Sequence, residues 1–184
     1  LFDLCKEFNK VGTEVYVICA KNFSDGWLIH QEFALLKIIR VRIPLFFGGT
    51  RLGRLLGEVC AAPTVIFYMI TGKLRLPAFN FIVWYSPSIF FGLLIWYLRK
   101  VNGVRTKTYL ILRDIFPEWA FETGQIKSQL VFWLLKIVSK FQYQQADVIG
   151  VQSYRDLEYF RDSQLKRGSK LVVLQNWLSP IETS

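Results

Sequence analysis

The stretch Tyr109-Leu-Ile-Leu-Arg-Asp-Ile-Phe-Pro-Glu-Trp119 begins as an apolar run of strand length and ends abruptly in charged residues. Arg113, Asp114 and Glu118 follow the apolar run, and Pro117 stands between them. In an open α/β sheet, ligands bind at the edge where the carboxyl ends of the strands meet. The stretch therefore predicts a buried strand with a group of site residues just past its end.

Other apolar runs of strand length recur along the chain, and most are continuous rather than alternating, as in parallel strands covered on both faces. Helical patterns lie between them. One begins at Ser153, whose hydroxyl can cap a helix together with Asp156 three residues on. The alternation predicts an α/β fold with a doubly wound, mainly parallel, Rossmann-like sheet. The predicted strands are 14–20, 38–43, 80–85, 108–112, 147–151 and 170–174.

Two further helical patterns matter for the organisation of the chain. The clearest runs from about Lys127, with Leu130, Trp133, Leu134, Ile137, Val138 and Phe141 at helical spacing. The other opens the chain and stops at Gly12, whereas doubly wound nucleotide-binding domains open with a strand and a Gly-rich turn. We therefore expect residues 1–184 to be one domain and a fragment, with the first strand missing.

Charge and cysteine content restrict the class of partner. The chain carries 23 Lys and Arg against 14 Asp and Glu, a net charge of +9, which favours an anionic partner. The basic residues are scattered singly, unlike a nucleic-acid patch, so a membrane surface or a phosphorylated small molecule is preferred. Three distant cysteines indicate a reducing cytoplasm rather than a disulfide or zinc framework. No metal site is predicted, and the lone His30, in a predicted loop, is given no role.

The charged residues after the strand have two interpretations that the sequence leaves open. As a substrate site, Asp114 or Glu118 would bind sugar hydroxyls or transfer protons, and Arg113 would hold a phosphate. As structural residues, Arg113 and Asp114 would form an ion pair, while Pro117 and Glu118 would start the next helix.

Ser86, Pro87 and Ser88 follow the strand predicted at 80–85. Helix initiation is the simpler explanation, with Ser86 as the cap and Pro87 at the first helical position. Free amide groups at this helix start would also face a phosphate at the same sheet edge.

Gly48-Gly49-Thr50-Arg51 precedes a helix that is apolar on one side and basic on the other. Such a helix either rests on an anionic bilayer or packs on the sheet, and the net charge slightly favours the bilayer. The apolar side is formed by Leu52, Leu55, Leu56, Val59 and Cys60, with Phe46, Phe47, Phe67 and Tyr68 as nearby interfacial aromatics.

Four motifs in this order and spacing resemble the N-terminal domain of family 4 glycosyltransferases of the GT-B fold. The resemblance is strongest to the branch that builds bacterial O-antigen and capsule polysaccharides, and it covers nearly the whole chain. The motifs are Tyr85-Ser-Pro-Ser-Ile-Phe-Phe91, Leu112-Arg-Asp-Ile-Phe-Pro-Glu118, Ala146-Asp-Val-Ile-Gly-Val-Gln-Ser153 and Val173-Leu-Gln-Asn-Trp177.

The resemblance implies transfer of a sugar from a nucleotide-sugar donor, without metal or other cofactor, to an acceptor held by this domain. It implies a polyprenyl-diphosphate-linked or other saccharide acceptor, and a cytoplasmic enzyme peripheral to the inner face of the cell membrane. The donor-binding domain would begin after Ser184, and Asn176 resembles the junction leading to it.

The resemblance also orders the candidate site residues. Asp114 would contact or position the acceptor, and Arg113 would bind phosphate or form a structural charge pair. Glu118 is the third candidate catalytic residue. The candidate substrate-binding residues are Ser86, Pro87, Gly48, Gly49 and Asn176.

Two other functions stay open at this point. A nucleotide-sugar epimerase of GT-B architecture would isomerise the donor without an acceptor. A non-catalytic, membrane-associated fragment would retain acceptor binding without transfer.

Overall fold

The computed structural model describes residues 2–21, 28–33, 35–43, 51–86, 88–103, 106–160, 165 and 168–175. These residues form two compact units, one within Leu1–Val65 and the other within Ile66–Asn176. None of the helices in the described ranges is long and apolar enough to cross a membrane.

The first unit contains a three-stranded sheet in the order β1-β3-β2, in which β1 and β3 are parallel and β2 is antiparallel to β3. Leu36, Ile39 and Val41 of β3 are buried, as is Cys5 of the preceding helix. The elements are α1 (Phe2–Lys10), β1 (Val15–Lys21), β2 (Leu28–Phe33), β3 (Leu36–Arg42) and α2 (Arg51–Ile70), which continues into the second unit.

β2 corrects the sequence prediction, which left His30 in a loop. The strand contains three consecutive polar residues, His30, Gln31 and Glu32, so it lacks the continuous apolar run of the other strands. It ends only two residues before β3 begins, and so short a connection can join only antiparallel neighbours.

The second unit contains a four-stranded parallel sheet in the order β4-β5-β6-β7. Helices connect successive strands, as parallel pairing requires. Its elements after α2 are β4 (Phe81–Tyr85), α3 (Gly92–Asn102), β5 (Lys107–Ile111), α4 (Glu118–Glu122), α5 (Gln129–Tyr143), β6 (Val148–Val151), α6 (Tyr154–Tyr159) and β7 (Lys170–Val173).

The predicted α/β class and the mainly parallel pairing are confirmed. All six predicted strands are present within one or two residues of their expected bounds, and four of the five strand pairs in the described ranges are parallel. The predicted cap of α6 is also confirmed, because Ser153 and Asp156 form a reciprocal capping box.

A buried hydrogen-bond cluster ties β5 to the start of β6. The Thr108 hydroxyl, fully buried, donates to the Gln145 carbonyl at 2.8 Å and accepts from the Asp147 amide at 3.0 Å. The Thr108 amide donates to Asp147 Oδ2 at 3.1 Å. Arg99 of α3 joins the cluster through Asp147 Oδ1, at 3.5 Å. One side chain of β5 therefore links two strands and a crossover helix.

We expect Thr108→Val to lower the free energy of unfolding by about 1–3 kcal/mol, because it removes the hydroxyl's hydrogen bonds to Gln145 and Asp147 from the buried cluster. Urea denaturation measures the change. Thr123→Val is the matched control, since among the described residues the exposed Thr123 hydroxyl bonds only to carbonyls of its own helix. Equal losses for the two variants would contradict the role given to the cluster.

Candidate functional site

The carboxyl ends of β4, β5 and β6 lie side by side at one edge of the parallel sheet, with Tyr85 opposite Ile111 and Ile111 opposite Gly150. Pairing continues one residue beyond the strands, because the Ser86 amide donates to the Ile111 carbonyl at 3.0 Å. The Leu112 amide likewise donates to the Gly150 carbonyl at 2.8 Å. The sheet edge therefore places Ser86 and the residues after Leu112 on neighbouring strands.

Arg113 is held at this edge by Tyr85 of the adjacent strand. Its Nη1 donates to the Tyr85 hydroxyl at 2.6 Å, and the guanidinium carbon lies 5.8 Å from the Tyr85 ring centroid. The bond to Tyr85 raises the pKa of Arg113, and the negative charge of Asp114 adds to this in smaller measure. Arg113 is thus a fixed positive charge that remains exposed to solvent.

The ion pair between Arg113 and Asp114 does not form in the described part of the chain, where Arg113 bonds to Tyr85 instead. The Asp114 side chain is exposed and has no hydrogen bond to any described residue. An exposed carboxylate can accept hydrogen bonds from hydroxyl groups of a ligand. The assignment of Asp114 to the site stays a prediction.

Glu118 is tied to the surrounding helices. It is the first residue of α4, and Pro117 stands at the N-cap position, as the structural interpretation predicted. Glu118 Oε1 lies 3.2 Å from Lys136 Nζ of α5 and accepts a 2.5 Å hydrogen bond from the Tyr159 hydroxyl of α6. The side chain is only 16% exposed. One carboxylate oxygen thus joins three helices, while a catalytic role for Glu118 stays a prediction.

The Glu118 carboxylate also affects Tyr143, a fully buried residue of α5. Burial is the main cause that raises the pKa of Tyr143, and the nearby negative charge of Glu118 raises it further. The Tyr143 hydroxyl donates to the Phe116 carbonyl at 3.4 Å. Tyr143 therefore stays neutral and packs α5 against the segment that precedes α4.

The predicted helix cap at Ser86 is wrong, because α3 begins only at Gly92, with Phe91 at its N-cap position. A turn intervenes, in which the Phe90 amide donates to the Ser88 hydroxyl at 3.4 Å. Ser86 is fully buried, and its hydroxyl has no hydrogen-bond partner in the described ranges. It lies at the candidate edge but does not start a helix.

Four of the predicted site residues lie outside the described residues, namely Pro87, Gly48, Gly49 and Asn176. Their assignments stay predictions.

The structure brings Ser86, Arg113 and Asp114 to one sheet edge and adds Tyr85, which the sequence analysis did not single out. Tyr85 is the first residue of one of the four motifs and the last residue of a predicted strand. Its position at the strand end could have identified it as a residue of the sheet edge.

The helix proposed for membrane contact is α2, which contains Pro63 and runs to Ile70. Leu55, Leu56 and Val59, on its predicted apolar side, are 43%, 38% and 41% exposed. This side is therefore not a fully buried packing face.

No group of three metal-ligating side chains occurs in the described part of the chain.

Comparison with known proteins gives matches among solved structures only. No family model and no curated protein matches the chain. Among solved structures, a sucrose-phosphate synthase from Thermosynechococcus elongatus is similar, with a TM-score of 0.56 and 13% identity. The match covers 95% of this chain and 82% of that one.

The chain has a GT-B-like, Rossmann-like fold. At this identity the similarity concerns the fold alone, because one fold can host several chemistries. The choice among them depends on the residues at the edge of the sheet.

Proposed function

We propose that this chain forms the acceptor side of a glycosyltransferase. The enzyme transfers a sugar from a nucleotide-sugar donor to a saccharide acceptor, without metal or other cofactor. The acceptor is a lipid-linked saccharide carried on polyprenyl diphosphate, and the pathway is surface polysaccharide synthesis at the cytoplasmic face of the membrane. The branch, the lipid linkage and the location are supported by the four motifs and the net charge of +9.

The observation that carries the proposal is the free carboxylate of Asp114 beside the fixed cation of Arg113 at the carboxyl edge of a parallel sheet. Ligands of open α/β sheets bind at this edge. A guanidinium has five N–H donors, and the single bond to Tyr85 leaves others for phosphate oxygens. Together these side chains suit an acceptor that has both hydroxyl groups and a diphosphate.

In the transfer, the acceptor hydroxyl oxygen forms a bond to the anomeric carbon of the donor sugar, and the bond to the nucleoside diphosphate breaks. Asp114 accepts a hydrogen bond from the acceptor hydroxyl, fixes the position of the attacking oxygen and takes up its proton as the new bond forms. Arg113 neutralises phosphate charge on the acceptor carrier. The proposal requires a second Rossmann-like half to bind the donor.

The test incubates the intact enzyme with a labelled nucleotide-sugar, with and without a polyprenyl-diphosphate-linked saccharide. We expect release of nucleoside diphosphate and labelling of the lipid fraction only when the acceptor is present. An isomerised donor in the absence of acceptor would instead support the epimerase. Absence of both products with a panel of donors and acceptors would contradict sugar transfer.

A further inference from the structure

Helix α5 turns its apolar side toward solvent. Leu130, Trp133, Leu134 and Ile137 are 70%, 52%, 55% and 65% exposed. The sequence pattern predicts this amphipathic helix, and its apolar side is the side normally packed on a sheet. Here that side faces outward.

The opposite, inward side of α5 carries polar residues among its buried positions. Ser139 and Gln142 are 1% and 0% exposed, and neither amide atom of the Gln142 side chain has a hydrogen-bond partner in the described ranges. Lys136, on the same side, pairs with Glu118. Burying a polar group without a partner is unfavourable. The side chains of α5 itself therefore do not explain its orientation.

Contacts with neighbouring helices fix this orientation. Gly92 of α3 lies so close to α5 that a Cβ atom there would be 2.8 Å from the Gln142 Cα atom. Tyr143, fully buried on the inward side, anchors the last turn. Rotating α5 to bury Leu134 and Ile137 would expose Tyr143 and break these contacts. The exposed apolar side is therefore a stable feature of the second unit.

Helix α3, which packs beside α5, also carries exposed apolar side chains. Leu93 and Trp96 are 40% and 43% exposed, and Lys100 Nζ lies 5.3 Å from the Trp96 ring centroid. Neither α3 nor α5 contains an acidic residue. We call this surface the α3–α5 face, formed by Leu93, Trp96, Lys100, Leu130, Trp133, Leu134, Ile137 and Lys140.

We propose that the α3–α5 face docks on an anionic lipid bilayer. Tryptophan rings prefer the boundary between lipid headgroups and acyl chains, and leucine and isoleucine side chains enter the apolar layer. Lysines beside them reach back to anionic headgroups. The face combines all three residue types on two adjacent helices.

The charge of the face selects this occupant over a second copy of the chain. Two copies joined through the same face would bring Lys100 and Lys140 against lysines, and neither helix supplies an acidic partner for them. A bilayer containing anionic lipids provides negative charge and an apolar layer together. The inference rests on the proposed location at the membrane and names the surface that makes the contact, and it is tested apart from sugar transfer because docking requires neither donor nor acceptor.

The test is co-sedimentation of the intact protein with vesicles of phosphatidylcholine, alone or mixed with phosphatidylglycerol. We expect binding to the mixed vesicles and a shift of tryptophan emission to shorter wavelength. Leu134→Glu should weaken binding about tenfold or more, because it places a charge in the apolar layer. The control is Val11→Glu, 76% exposed in the first unit, which should bind like the unchanged protein. Thermal melting verifies that both variants fold.

Three results would overturn the proposal. The first is equal binding by Leu134→Glu and Val11→Glu. The second is protection of the α5 amide groups from hydrogen exchange in the absence of vesicles, beyond that of α3, which would show that protein already covers the face. The third is a dimer that Leu134→Glu dissociates, which would make the face a contact between copies. Loss of docking in a protein that still transfers sugar would leave the proposed function intact.

Discussion

Replacing Asp114 with asparagine in the intact enzyme is expected to lower the turnover number about 10²- to 10⁴-fold, the range for loss of a positioned carboxylate in proton transfer. The variant keeps the size of the side chain and removes its charge. Because the Asp114 side chain is exposed and makes no hydrogen bond to a described residue, folding stability should change little. The turnover number and the urea midpoint are measured on the same preparation.

Glu118→Gln is the informative comparison, since Glu118 is the other carboxylate after β5. Its Oε1 atom accepts from Tyr159 and pairs with Lys136, so neutralising it should lower the free energy of unfolding by about 1–3 kcal/mol. The two variants thus compare an exposed carboxylate with one that is held by two neighbouring helices. If turnover were unchanged in Asp114→Asn, Asp114 would have no place in the site.

The strands of this fold were predictable because parallel strands buried on both faces read as continuous apolar runs. The run at 108–112 gave β5 to within one residue. β2 was not predictable in the same way, since His30, Gln31 and Glu32 interrupt its apolar pattern. β2 is held in the sheet by its pairing with β3, and the local sequence of β2 does not encode that pairing.

The site was predictable in part for a similar reason. A charged residue after a buried strand can be placed at the sheet edge from the sequence, and Arg113 and Asp114 lie there. Their partners could not be read in advance, because Tyr85 reaches Arg113 through the register of two strands distant in sequence. Ser86 shows the opposite error. The local sequence predicted a helix cap at Ser86, but a turn follows it and α3 begins only at Gly92.

The direction in which α5 faces was also hidden from the sequence. Periodicity identifies an apolar side but does not say whether that side meets the sheet, a lipid surface or solvent. The decisive contact is the close approach of α3 and α5 at Gly92, which depends on the absence of a side chain at one position.

Gly92→Ala is therefore expected to be strongly destabilising, lowering the free energy of unfolding by about 1–3 kcal/mol. The added Cβ would lie 2.8 Å from the Gln142 Cα atom and 3.1 Å from its amide nitrogen. Backbone atoms of a helix cannot move aside as a flexible side chain does, so α3 and α5 must separate. The higher helix propensity of alanine offsets at most about 1 kcal/mol of this.

Leu93→Ala is the matched control, because it changes the next residue, whose side chain is 40% exposed, and should cost less than about 1 kcal/mol. Urea denaturation compares the two variants, and equal losses would contradict the close packing at Gly92. Hydrogen exchange adds a second readout, since separation of the helices should speed exchange at the carboxyl end of α5, around Gln142, more than at its amino end. Because the same contact sets the direction of Leu134 and Ile137, a folded Gly92→Ala protein should also bind anionic vesicles more weakly.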